Sequence, residues 1–449
     1  MSTTRRNFVK TVAAGSAGLT IGGIGFGKSS YRRILGSNDR IRVGVVGFSD
    51  RGADTLFPAF LSHAPSMNFE IVAVSDIWNR RREEAEKYFS GKGVKIALAR
   101  NNEELYNRKD IHAVIISTPD CLHARHAIEA VKAGCDLYVE KPFAETMEDN
   151  RDALKAVTES GKIFQIGSQR RSGENYRAAH EYLKSGKFGD IVMVEMSWNV
   201  NQPDRWRRPA LVASIREQDT DWKRFLSSRP YSAWNPRHYL EYRLFWPYSS
   251  GIPGQWMSHQ IDTVHWFTGY SHPRSVAAGG GIYLWKDGRE NFDTMTAVFD
   301  YGPSDDKTKG FQVVYSSRFT NSAGGVKELY FSNGGTLNLD TNTVSSDGGL
   351  EAEFAKPMGM KSNLLESFKL PQVTALTGAN LGSDPMTFAH MKNWMECVRN
   401  RKEANGNIHA AYNHSIANIM TNAALHTGEK AVFNEQAQEV LAGGKVFKY

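Results

Sequence analysis

Glu140-Lys141-Pro142 closes an apolar run, Asp136-Leu-Tyr-Val-Glu140, of the kind that forms a buried strand. A lysine where such a strand stops can reach into the cleft above a sheet, and the proline stiffens the turn that aims it. A neutral amine held there accepts the proton of a substrate hydroxyl, which makes Lys141 a candidate acid–base residue. A second group lies downstream at Gln255, His259 and Asp262; the last two, three residues apart, share a face of any helix that contains them. Taken singly, a lysine is usually solvated and a histidine usually packed in a core, so these residues gain meaning from the elements that carry them.

Strand-like and helix-like segments alternate around residue 140. Residues 42–47, 69–74, 111–117 and 162–167 are short apolar runs, and helical patterns occupy 53–61, 79–89 and 123–133. Repeated strand–helix pairs predict a doubly wound parallel sheet, a Rossmann domain over residues 40–168. The first strand runs into Gly47-Phe48-Ser49-Asp50-Arg51-Gly52. This loop keeps the outer glycines of a dinucleotide-binding G-x-G-x-x-G and replaces the middle one by serine. Gly47, Ser49, Arg51 and Gly52 are therefore candidate cofactor residues. Asp50 fits beside a phosphate only if it points away or pairs with Arg51. Asp76, at the end of the second strand, suits an acceptor of ribose hydroxyls and would repel a 2′-phosphate, so NAD is expected over NADP. Arg80 and Arg81, close by, weigh against that preference unless they are simply a solvated helix face.

Ser117-Thr118-Pro119-Asp120-Cys121-Leu122-His123, then Ala127-Ile-Glu-Ala-Val-Lys-Ala-Gly134 and Val139-Glu-Lys-Pro142, resembles the Gfo/Idh/MocA oxidoreductases. These are the group of glucose–fructose oxidoreductase and inositol dehydrogenase. The resemblance implies a Rossmann domain with tightly held NAD(P), contacted by Thr118, Pro119, His123, Glu140 and Lys141. It further implies an α/β domain over residues 169–449, on an open, mostly antiparallel sheet that supplies the carbohydrate or polyol site and homo-oligomer contacts. The lysine of Glu-Lys-Pro is catalytic in that family, which maps onto Lys141. Gly254 to Asp262 resembles the family's Asp-x-x-x-His-x-x-Asp motif, whose histidine, here His259, assists. Gln255 stands in place of the first aspartate. An amide hydrogen-bonds a hydroxyl but does not take its proton, so Gln255 and Asp262 become orienting residues. No metal-ligand spacing surrounds His265, and no metal site is expected.

Downstream, strand-like runs at 191–197, 275–278, 293–299, 311–315 and 327–331 are divided by glycine and asparagine turns. Between the first two lies an insert rich in Trp, Tyr and Arg, from Arg205 and Trp206 to Arg243, Trp246 and Tyr248. Aromatic faces stack on sugar C–H surfaces and arginine binds carboxylates or hydroxyls. Arg243 and Trp246 are thus candidate substrate residues, although core packing uses the same types. The C-terminal region reads as two amphipathic helices around Asn405-Gly406, with His414 placed to enter the cleft or to fill the core.

Thr4-Arg5-Arg6-Asn7-Phe8-Val9-Lys10, ahead of a glycine-rich and mildly apolar stretch to Phe26, is the pattern of a twin-arginine export signal over residues 1–34. The stretch is shorter than the ~20 apolar residues of a spanning helix. The expectation is a periplasmic protein handed to the twin-arginine export machinery, with an uncleaved membrane tether as the variant. This segment holds six Lys or Arg and no acid against a formal net charge of +7 for the whole chain, so the remainder is near neutral and offers no footprint for nucleic acid. Three cysteines make no disulfide framework. The leading reading is an exported NAD-dependent oxidoreductase acting on a sugar, polyol or glycoside, with its cofactor recycled internally. Beside it stand an NAD-dependent glycoside hydrolase that oxidises its sugar transiently, and a non-catalytic sugar-binding protein on the same fold.

Overall fold

The computed structural model describes residues 39–371 and 384–448, and the expected export segment lies outside them. Six strands form an all-parallel sheet in the order β3-β2-β1-β4-β5-β6. They are β1 Ile41–Val46, β2 Phe69–Ser75, β3 Ala97–Ala99, β4 Ala113–Ile116, β5 Asp136–Val139 and β6 Phe164–Ile166. Successive side chains of a strand point to opposite faces, and here both faces are covered. Ala113 and Ile115 enter one core with Phe57 and Phe60, while Val114 and Ile116 enter the other with Ala127 and Val131. That two-sided burial is why β4 reads as an unbroken apolar run. β3, only Ala-Leu-Ala, carries too little pattern to be read. The strand order reverses between β1 and β4, which opens a crevice at their C-terminal ends. The glycine loop, Thr118 and Lys141 all emerge on that side.

The second sheet has eleven strands. β7 Ile191–Asn199 pairs in parallel with β10 Phe311–Arg318 and antiparallel with β11 Val326–Ser332, and β9 Thr294–Tyr301 and β8 Ser275–Gly281 continue antiparallel beyond β10. Short strands extend both edges: β12 Gly335–Asn338, β13 Thr343–Ser345 and β14 Phe368–Lys369 on one, β15 Ala431–Asn434, β16 Glu439–Ala442 and β17 Lys445–Val446 on the other. One face buries Val194, Phe299, Val313 and Tyr330 against Ile261 and Val264 of the helix Ser258–Thr268 and Ile416 and Met420 of the helix Ile408–Thr427. The mostly antiparallel second layer is the one the resemblance implied.

The helix Pro385–Asn400, which the sequence reading placed with the second domain, packs on the first sheet. Its Met391 and Trp394 are fully buried there, and the Trp394 ring lies 6.0 Å from that of Tyr138 on β5. Asp384 caps it by accepting the Thr387 N–H at 2.9 Å. The chain thus returns to the Rossmann layer after building the second sheet, a choice that local periodicity does not encode.

Candidate active site

The glycine loop is tight for reasons visible atom by atom. Gly47 has φ +83°, and a Cβ there would lie 2.6 Å from Thr118 Cγ2; a Cβ on Gly52 would lie 2.6 Å from the Phe57 ring. Ser49, in place of the middle glycine, uses its hydroxyl locally: it accepts the Gly52 N–H at 3.1 Å. The N–H groups of Ser49, Asp50 and Arg51 open the following helix and meet no protein acceptor among the described residues. Such groups are the ones that receive a pyrophosphate at a helix N-terminus. Asp50 does not pair with Arg51. Its carboxylate accepts from Arg81 Nη2 and Arg208 Nη2, each at 2.8 Å, so Arg81 belongs to the loop and not to a solvated face. Arg51 turns to Glu140, with Nε 3.5 Å from Oε1. Asp76 accepts the Phe48 and Trp78 N–H groups, both at 2.9 Å, one on each oxygen. Burial raises its carboxyl to about 6, and the free lone pairs are those a ribose diol would use. These residues fit a dinucleotide.

The turn after β4 is bound to this loop and to the Glu-Lys-Pro turn. Ser117 Oγ donates to Gly47 O at 2.8 Å, and Thr118 Oγ1 meets His126 Nδ1 at 3.1 Å. Pro119 precedes a single 3-10 turn, Asp120–Leu122. His123 sits between two carbonyls, Thr118 O at 2.8 Å from Nε2 and Pro142 O at 2.6 Å from Nδ1, so its ring is a strut between the two turns. Glu140 accepts Gln169 Nε2 at 3.1 Å in addition to facing Arg51.

Lys141 donates through Nζ to the main-chain carbonyl of Gln255 at 2.6 Å. Burial pushes the ammonium down to about 8, against the opposing pull of Glu140 and Asp120. Gln255 lies in a π-turn, Pro253–Met257, that widens the helix where it enters the site. Its side chain is committed at both ends: Oε1 accepts Arg243 Nε at 2.9 Å, and Nε2 donates to Asp120 Oδ2. It therefore orients protein groups, where the sequence suggested a substrate hydroxyl. Asp120 also accepts Ser249 Oγ at 2.6 Å. A second buried acid, Glu145, accepts Ser250 Oγ at 3.2 Å, and burial, with the Asp120 charge adding to it, raises its carboxyl above the ordinary range. Sequence reasoning missed both acids. The amide at 255 was the available signal, since a carboxylate missing there invites one from another turn.

His259 faces Trp198, ring centroids 5.9 Å apart and planes at 28°, and Trp198 in turn stacks on Trp256 at 5.9 Å and 8°. Burial, then the charges of Lys141 and Arg170, hold its imidazole well below the usual range, so it is neutral near pH 7. Asp262 does something else: Arg171 grips it with Nε at 2.8 Å and Nη2 at 2.9 Å. Burial is the largest single effect and works against its charge, but Arg171 and His414 together outweigh it and keep the carboxyl below its ordinary range. His414 is fully buried, with Nδ1 3.8 Å from Asp262 Oδ1, which is beyond hydrogen-bond reach. Of the three candidate substrate residues, Arg243 joins the Lys141 network and His414 is a core residue beside Asp262. Trp246 packs its ring on His426 at 5.1 Å and Phe447 at 6.1 Å, at the C-terminal edge of the second sheet.

Residues 41–168 match the Gfo/Idh/MocA family profile described as "Oxidoreductase family, NAD-binding Rossmann fold". The match is confined to the first domain. Scyllo-inositol 2-dehydrogenase (NADP(+)) of Bacillus subtilis is 28% identical over 173 residues, which are 38% of this chain and 45% of its own. The chain spans about half the length of the curated relatives it matches. Solved structures are similar over more of it. The WlbA dehydrogenase from Bordetella pertussis, in complex with NADH and UDP-GlcNAcA, is 17% identical and covers 88% of this chain and 99% of its own with a TM-score of 0.61. A levoglucosan dehydrogenase, in complex with NADH and levoglucosan, is 14% identical over 87% of this chain and 98% of its own, with a TM-score of 0.62. The first domain and the sheet that follows it thus share the fold of these solved structures. Among the described residues no cluster of three or more His, Cys, Asp or Glu is placed to hold a metal ion, and no helix is long and apolar enough to cross a membrane.

Proposed function

We propose that this chain is an NAD-dependent oxidoreductase acting on a hydroxyl of a sugar, polyol or glycoside. One observation carries the reading: a buried lysine at the C-terminal edge of the parallel sheet, pushed down to about 8, whose ammonium is hydrogen-bonded to a neutral carbonyl. NAD, when bound, supplies the hydride acceptor, and Gly47, Ser49, Arg51, Gly52 and Asp76 are the residues that would hold it. Neutral Lys141 takes the hydroxyl proton as the carbon gives up its hydride, and the Gln255 carbonyl receives the resulting N–H. Neutral His259 accepts a hydrogen bond from the same or a neighbouring hydroxyl, and Trp198 and Trp256 back its ring from the protein side. The names of the relatives, inositol and levoglucosan dehydrogenases, support a carbohydrate or polyol substrate. Asp76 supports NAD over NADP.

Export through the twin-arginine route to the periplasm follows from Arg5-Arg6 and the stretch behind them, with an uncleaved tether as the variant. A protein without a soluble NAD pool keeps its cofactor and regenerates it within the turnover. Contacts between the insert and the first domain support retention: Arg208 bonds Asp50 of the glycine loop, Tyr239 meets the Trp78 ring at 6.1 Å, and Arg224 holds Glu103 at 2.6 Å. Retention also supports a second reading, a glycoside hydrolase that oxidises and then re-reduces its sugar, because that cycle needs no second substrate.

The test is to denature purified folded protein, assay released NAD(H) by mass spectrometry, and incubate native protein with sugars and aryl glycosides. Bound cofactor with oxidised sugar establishes the dehydrogenase, and bound cofactor with free aglycone the hydrolase. Neither cofactor nor product overturns the enzymatic reading and leaves a sugar-binding protein.

A further inference from the structure

The insert carries eight arginines between residues 205 and 243. Six are in ion pairs: Arg207 with Glu241, Arg208 with Asp50, Arg216 with Asp219, Arg224 with Glu103, Arg229 with Asp149 and Arg237 with Glu241. Arg205 and Arg243 are the exceptions among the described residues. Arg243 spends Nε on the amide oxygen of Gln255 at 2.9 Å and lies with its guanidinium 4.6 Å from the Tyr242 ring centre. Arg205 bonds the Gln202 side chain and lies 5.4 Å over the Trp256 ring. Both are half-buried, and neither meets a carboxylate.

These two cations and Lys141 share one field. Burial, and after it Arg243, brings Arg205 down to about 10, and Arg243 adds a small push to the larger effect of burial on Lys141. The nearby acids bond elsewhere: Asp50 accepts from Arg81 and Arg208 and feels Arg243 only at longer range, and Asp120 accepts from Ser249 and Gln255. Neither arginine is paired with a carboxylate, and a half-buried cation without a direct partner gains from a ligand that supplies one. The backbone adds a second sign that the place is built. Trp206 has φ +67°, a conformation unfavourable for a bulky side chain, and its ring is wedged against Phe319 at 4.9 Å and Trp256 at 5.9 Å. That strained turn places Arg205 over Trp256.

We propose that the substrate is a carboxylated sugar, whose carboxylate Arg205 and Arg243 receive while its hydroxyl faces Lys141. This rests on the oxidoreductase reading and narrows its substrate class. Planar guanidinium forks match a carboxylate two-pronged, and each arginine keeps N–H groups free for it. The proposal also accounts for Gln255. An aspartate at that position would face Arg243 and neutralise it; the amide positions Arg243 and leaves its charge to the ligand.

Binding and turnover are measured separately on full-length protein with its cofactor bound. Quenching of tryptophan fluorescence follows methyl glucuronoside, methyl galacturonoside, their uncharged methyl esters and the parent methyl glycosides. At least one acid is expected to bind more than about tenfold tighter than its ester, and Arg205→Met or Arg243→Met to weaken the acid by about ten- to a hundredfold, far more than the ester. Acids that bind no better than esters, or variants that weaken both equally, overturn the proposal. So does an Arg243→Met protein that loses its cofactor, which would assign that arginine to the pyrophosphate. Nicotinamide reduction by the same compounds reports on the oxidoreductase reading alone: preferential binding of acids without reduction sinks that reading and keeps the anion site.

Discussion

Gln255 reaches Lys141 through its backbone: the Lys141 ammonium lies 2.6 Å from the Gln255 carbonyl, across 114 residues of chain. The Gln255 side chain meanwhile joins Arg243 to Asp120. One residue thereby supports the lysine with a neutral dipole and ties Asp120 to Arg243 through its amide. A carboxylate in direct contact would have held the amine charged.

Lys141→Met removes the proton acceptor and retains most of the side-chain bulk. We expect bound NAD to be kept and turnover to fall by about two to four orders of magnitude, the range for a positioned acid–base group. Single-turnover reduction of the bound nicotinamide measures it, and near-normal turnover in the variant would remove Lys141 from the chemistry.

The pH profile follows from the sign of the shift. Lys141 is lowered from 10.5 to about 8, and only the neutral amine accepts a proton, so the rate should climb with pH and level off above about 8. Gln255→Asp places a second acid near Asp120 and the lysine, and should move the midpoint upward by about one to three units. An unmoved midpoint would mean that the side chain at 255 is electrically isolated from Lys141.

Asp76 orients the glycine loop through Phe48 and is the expected ribose acceptor. Asp76→Ala should weaken NAD by about ten- to a hundredfold, the worth of hydrogen bonds to a charged group, and narrow the preference over NADP. Equilibrium dialysis of both cofactors against the variant decides this. A wild-type protein isolated with NADP would refute the role given to Asp76.

Arg171 and Asp262 form a buried two-pronged pair. Arg171→Met strands the carboxylate beside the buried His414, so we expect a loss of about 3–5 kcal/mol in urea unfolding. A loss below ~1 kcal/mol would show that the pair is solvated in solution.

Replacing Arg5 and Arg6 by lysine should leave folded protein in the cytoplasm, as cell fractionation would show. Unchanged export in that double variant would dispose of the twin-arginine reading.

The sequence by itself determined the parallel sheet, the glycine loop, the placing of Lys141 and His259 near the cleft and the family resemblance, because these are written in local periodicity and in short spacings. β4 needs apolar residues on both faces, and the Gly47 turn admits no Cβ beside Thr118. Tertiary structure alone decided which polar groups meet. Asp120 lies 135 residues from Gln255, and Arg171 lies 91 from Asp262, and no spacing rule operates at such separations. The edge strands β12 to β17 were equally unreadable, since two to four residues paired at a sheet edge draw their order from the neighbour and not from their own pattern. The same holds for the helix Pro385–Asn400, whose apolar stripe fits either sheet until the packing around Tyr138 and Phe69 selects the first.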